Sequence, residues 1–150
     1  MSDLRGFERS LPIALLRARE ATMRLFKPHV DAAGLTLEQW RVIRALAEGG
    51  QLDARQLADQ CAVLPPSLSR ILTALEGREM LTRARDPSDG RRTVIHLTDV
   101  GAALFQRIAP YSEQAYQRLE AEFGQEKLNE LLENLVELRA AAEKLANDQT

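Results

Sequence analysis

The sequence predicts a mostly α-helical chain with one small β-wing, an α+β architecture, and three observations carry that prediction. Apolar residues recur at helical spacing over most of the 150 residues. That period breaks only around 81–97, where two short segments flank the turn Asp86-Pro-Ser-Asp-Gly-Arg-Arg92. Capping and stop signals then divide the helical sequence into separate elements.

The first helix starts near Leu11, and Leu11, Leu15, Ala18, Thr22 and Leu25 mark one face at spacings of four and three. Pro28 predicts its end or a kink near Phe26. Thr36-Leu-Glu-Gln39 is a capping-box pattern opening a second helix, which buries Trp40, Ile43 and Ala47 and stops at Gly49-Gly50. A third helix opens at Asp53, with Gln56 three residues on, and presents Leu57, Ala58 and Cys61. After Ala62-Val63-Leu64, Pro65 and Pro66 suit the first turn of a fourth, whose apolar positions are Leu68, Ile71, Leu72 and Leu75. Leu81–Arg85 and Thr93–Leu97 form a hairpin. Thr98 caps a long helix to about Phe123, with Leu104, Ile108, Tyr111, Ala115 and Leu119 on one stripe. A last helix spaces Leu128, Leu131, Leu135, Leu138, Ala142 and Leu145 as a heptad-like seam that wants a partner helix.

Helix, helix, short turn, helix and hairpin in that order make a winged helix-turn-helix. Three segments follow: 1–35, an N-terminal helix of the dimerisation region; 36–98, the winged domain; and 99–150, C-terminal dimerisation helices.

Composition is that of a soluble globular protein, 45% apolar and 28% charged. No apolar run reaches membrane-span length, and Met1–Phe7 lacks the core of a secretory signal. A single cysteine, Cys61, suits a reducing cytoplasm. The net charge of −2 hides an asymmetry. Residues 99–150 hold five Lys/Arg against ten Asp/Glu, while Arg70, Arg78, Arg83, Arg85, Arg91 and Arg92 crowd the middle. A local basic face is enough for nucleic acid even in an acidic chain.

The segments LADQCAVLPPSLSRILTALE, DPSDGRR and HLTDVG together resemble the MarR family of bacterial transcriptional regulators, over roughly residues 10–145. IALLRAREATM and LTLEQWRVIRALAE are most similar to the repressors of homoprotocatechuate (4-hydroxyphenylacetate) degradation operons within it. The resemblance implies a homodimer that binds a pseudo-palindromic double-stranded operator as a repressor. It also implies a small aromatic carboxylate as effector. One departure stands out: Glu79 occupies the helix-to-wing position where the family carries glycine, which leaves Gly77 to take the turn.

Setting aside buried positions, the fourth helix offers Pro66, Ser67, Ser69, Arg70 and Thr73 to the major groove. At the wing tip Arg91 suits the minor groove or a phosphate ridge, with Asp89 holding its guanidinium as the resemblance implies. Arg92 is expected at a phosphate, and Asp86 as a brace of the turn. Arg78, Arg83 and Arg85 are further phosphate candidates or plain surface charges. For the effector, Arg19 at the edge of an apolar helix face is a carboxylate partner or half of a salt bridge. His29 and Trp40 are candidates for the pocket wall.

Two other classes compete: a winged-helix protein-interaction adaptor and a redox-sensing regulator using Cys61. No catalytic or metal-binding motif is present, so neither an enzyme, a metal nor a cofactor is expected.

Overall fold

The computed structural model describes residues 3–149; residues 1, 2 and 150, at the tips of the two outer segments expected above, lie outside it. After a single 3-10 turn, Phe7–Arg9, the order is α1 (Leu11–Ala32), α2 (Leu37–Gly49), β1 (Leu52–Asp53), α3 (Ala54–Cys61) and α4 (Pro65–Gly77). It continues with β2 (Leu81–Arg85), β3 (Thr93–Leu97), α5 (Asp99–Phe123) and α6 (Gln125–Asp148). Two compact units result, Met1–Ser112 and Glu113–Thr150.

Local chemistry sets most of these ends. Thr36 Oγ1 accepts from the Gln39 amide while Gln39 Oε1 accepts from the Thr36 amide, both at 3.0 Å. Asp53 and Gln56 repeat that reciprocal box on α3. Prolines occupy the first turns of α1 and α4.

Side chains from α2, α3, α4 and the sheet fill the core of the first unit. Ile43, Leu46, Leu57, Leu75, Leu81 and Ile95 are its largest wholly enclosed members, each contributing about 1.5–3 kcal/mol of transfer free energy. Helix α2 buries Val42 and Leu46 beside Trp40 and Ile43, whereas Ala47, expected inside, is half-buried.

Pro28 does not end α1. The helix runs to Ala32 although Pro28 has no amide to give. Its last turn is anchored tertiarily: Val30 is wholly enclosed, and Leu35 N donates to the Val30 carbonyl (3.2 Å) across Gly34 at φ +72°. Burial there outweighs one lost helical bond.

The sheet has three strands rather than two, in the order β1-β3-β2. β3 pairs antiparallel with β2 from Leu81↔Leu97 to Arg85↔Thr93, and with β1 through Leu52↔Ile95 and Asp53↔Val94. This ties the root of the wing to the residue that caps α3.

The α4-to-wing junction departs from expectation. Gly77 stays helical, and Glu79 itself takes the left-handed conformation, φ +61°. The Met80 amide then reaches the Leu75 carbonyl at 3.0 Å and closes the helix. Left-handed geometry costs a non-glycine residue about 1–2 kcal/mol, part of which glycine returns through its freer unfolded chain. Glu79→Gly is therefore expected to raise stability by about 0.5 kcal/mol, read from the urea midpoint. A fall in the midpoint would assign the Glu79 side chain a compensating role.

Candidate nucleic-acid interface

Helix α4 is held by Leu68, Leu72 and Leu75, which are buried, and its opposite face carries the expected polar set. Pro66, Ser69, Arg70 and Thr73 are exposed and Ser67 half-exposed, so these five share one side of a single helix. Arg70 reaches back to Ser67 Oγ at 3.4 Å, and Thr73 Oγ1 donates to the Ser69 carbonyl at 3.0 Å. The face is small, hydroxyl-rich and cationic, which suits close approach to base edges and phosphates.

Preceding α4, the turn is set by Ala62 in the left-handed region, φ +54°. Arg41 of α2 donates to the Cys61 carbonyl at 2.7 Å and so pins the end of α3. The Cys61 thiol is buried, and burial pushes its pKa up against a smaller opposing pull from Arg41. That environment disfavours the thiolate a redox sensor needs.

At the wing, Asp86 N donates to the Arg92 carbonyl at 2.9 Å, closing the 86–92 turn. Asp86 braces it as expected, its Oδ1 accepting from both the amide (2.9 Å) and the hydroxyl (2.7 Å) of Ser88. Those bonds hold its carboxyl below the usual carboxylate range. Asp89 acts differently from the expectation: it accepts from the Arg91 amide at 3.1 Å, fixing the backbone rather than the guanidinium. The exposed Arg91 guanidinium has no intrachain hydrogen bond or ion pair among the described residues.

The other arginines of the basic cluster divide sharply. Arg92, expected at a phosphate, is ion-paired to Asp53 (2.9 Å) and Asp86 (3.4 Å). Arg83 pairs with Glu76 at 2.9 Å, which lowers the Glu76 pKa and raises its own. Arg78 donates to the Gly34 carbonyl at 2.8 Å, closing the end of α1. Arg85 is exposed, like Arg91. Sequence reading missed these roles because they join residues 6 to 44 positions apart. One signal was available for Arg92, since Asp53 and Asp86 were both marked as structural carboxylates.

The effector candidates are less concentrated. Arg19 lies beside Glu20 at 3.3 Å, so its salt-bridge alternative is the one realised within the chain. It sits ten residues from His29 on α1, about 15 Å along the helix. The His29 ring stacks on Tyr111, centroids 6.3 Å apart, and its buried Nε2 has no hydrogen-bond partner among the described residues. Burial lowers its pKa. Trp40 is 8% exposed and stacks on Phe105 at 5.7 Å, a core role that leaves only its rim for a ligand. Among the described residues no acidic, histidine and cysteine cluster could hold a metal, and no helix is long and apolar enough to cross a membrane.

Comparison with known proteins agrees with this geometry. The MarR family profile matches residues 33–92. The homoprotocatechuate degradative operon repressor of Escherichia coli is 41% identical over 139 residues, 93% of this chain and 94% of that protein. NadR, solved in complex with 4-hydroxyphenylacetate, is 39% identical with TM-score 0.81, over 91% of this chain and 97% of that one. The repressor CouR, solved bound to a 23-mer DNA duplex, is 30% identical with TM-score 0.80, over 92% and 99%. With a winged reading head built as described and a relative this similar along nearly its whole length, the chain belongs to the MarR family of transcriptional regulators.

Proposed function

We propose that the chain is a dimeric cytoplasmic repressor of an aromatic-compound catabolic operon, released from a pseudo-palindromic operator by a small aromatic carboxylate. The observation that carries the DNA reading is the uncommitted Arg91 at the wing tip together with the exposed polar face of α4. Pro66, Ser67, Ser69, Arg70 and Thr73 enter the major groove, while Arg91, presented by Asp89, follows the minor groove or the phosphates. Residues 36–98 form the reading head. The flanking segments, 1–35 and 99–150, dimerise, and this is supported by exposed apolar side chains there: Phe7, Leu11 and Leu16 at one end, Leu132, Val136 and Leu145 at the other. A two-fold dimer reads half-sites about 34–36 Å apart.

The effector reading rests on the likeness to the homoprotocatechuate operon repressor and to NadR, and on His29. Its buried, unpartnered nitrogen beside Tyr111 is a polar group lacking what a phenol or carboxylate supplies. Trp40 lends an apolar rim, and Arg19, which meets Glu20 through Nη1 alone, keeps its other donors for a ligand carboxylate. Release follows if the ligand favours a dimer whose heads are misspaced for DNA.

Fluorescence-anisotropy titration of the DNA upstream of its own gene tests this, with 4-hydroxyphenylacetate, 3,4-dihydroxyphenylacetate and hydroxycinnamates added in turn. The expected result is tight binding weakened at least about tenfold by one of them. Binding indifferent to all of them would remove the aromatic effector and keep the DNA reading.

A further inference from the structure

We infer that Arg92 is a positioning residue, clamping the wing to the start of α3, and not a ligand of DNA. Its Nε donates to Asp53 Oδ2 at 3.1 Å with Nη2 ion-paired to the same oxygen at 2.9 Å, and its Nη1 donates to Asp86 Oδ2 at 3.4 Å. The remaining carboxylate oxygens are taken as well. Asp53 Oδ1 accepts the Gln56 amide at 2.8 Å, and Asp86 Oδ1 accepts from Ser88. One guanidinium thus joins the cap of α3, the strand pair Asp53↔Val94 and the base of the wing turn. The two carboxylates are 18% and 16% exposed but the Arg92 side chain is 46% exposed, so solvent screens the pair in part and its role is geometric more than energetic.

A mainly apolar groove of about 660 Å³ separates α3 and α4 from the wing root, with Leu68, Leu72, Arg83 and Thr93 on its walls. Arg83 on the wall of that groove pairs with Glu76 of α4, and Arg92 pairs with Asp53 beside the β1–β3 ladder, so two ion pairs tie the wing strands to α4 and to the start of α3. One cation between two carboxylates is also already neutralised within the chain, which leaves its charge less available to a phosphate. The clamp therefore sets where Arg91 arrives without meeting the DNA itself.

This inference rests on the reading that wing and α4 bind one duplex, and Asp53→Asn tests it by the sign of the effect. Asparagine keeps the cap, since its amide oxygen still accepts the Gln56 amide, but it loses the charge that holds Arg92. Removing a negative charge near DNA by itself tightens binding; loss of the clamp weakens it. Anisotropy titration of the full chain on operator duplex, across a salt series, is expected to show Asp53→Asn binding about tenfold more weakly. Arg92→Ala should weaken binding similarly with the salt slope of the parent chain, and Asp53→Asn added to Arg92→Ala should cost little more. Unchanged thermal unfolding of the variants would show that the fold survives. Tighter binding by Asp53→Asn, or a slope reduced by about 1.8 per dimer in Arg92→Ala, would overturn the clamp and make Arg92 a phosphate contact. Absence of salt-sensitive duplex binding by the parent chain would instead bring down the DNA reading and this inference with it.

Discussion

Arg91→Ala is expected to weaken operator binding at least about 30-fold, because each copy of such an arginine contributes about 1–3 kcal/mol and a dimer carries two. Nothing else in the chain should respond. Among the described residues the Arg91 guanidinium has no intrachain partner, and Asp89 holds only its amide, so thermal stability should stay within about 0.5 kcal/mol of the parent. Lost phosphate contacts should also flatten the salt slope by about 0.9 for each arginine removed. Arg91→Lys should recover part of the affinity if the contact is to phosphate, and little if it depends on the planar guanidinium in a narrow minor groove. An unchanged titration would move the wing off the DNA.

The largest effect on stability belongs to Gly101→Ala, expected to cost about 3 kcal/mol, with a lowered urea midpoint and a fall in Tm of several degrees. Gly101 lies in the first turn of α5, where a Cβ would collide with the Met80 carbonyl oxygen and press on Leu97 Cδ2. Backbone cannot yield there as a flexible side chain would. The same carbonyl accepts the Thr98 amide at 3.1 Å, and Thr98 Oγ1 donates to the Glu79 carbonyl while accepting from the Gly101 amide. Thr98 and Gly101 thus dock α5 onto the α4-to-wing junction through one network. A variant as stable as the parent would mean that α5 can lift away from Met80.

These two sites show what the sequence discloses and what it withholds. Thr36 with Gln39, Asp53 with Gln56, and Pro65 announce their helices because the chemistry is local, a cap and its amide three residues apart. The α4 face was legible for the same reason: helical period alone separates Leu68, Leu72 and Leu75 from Ser69, Arg70 and Thr73. Pro28 misled because burial of Val30 and Leu35, invisible locally, keeps α1 intact. β1 was missed because two residues carry no period, and they become a strand only by meeting Val94 and Ile95. Arginine counting could not divide the basic cluster. Arg78, Arg83 and Arg92 are engaged by partners within the chain, while Arg85 and Arg91 carry no ion pair among the described residues, and only long-range geometry tells them apart.

That division makes the central claim measurable. Arg55, Arg70, Arg85 and Arg91 are exposed and carry no intrachain ion pair among the described residues. Eight such guanidiniums in the proposed dimer, at about 0.9 per phosphate, give a slope of log K against log salt near −7, or about a 10⁴-fold loss of affinity between 50 and 200 mM. The decisive measurement is that salt titration, run on the parent chain with duplex containing its operator. A slope of this order, with binding retained in excess random duplex, is what a winged DNA-reading dimer predicts. A slope shallower than about −2, or no preference for operator, would contradict it.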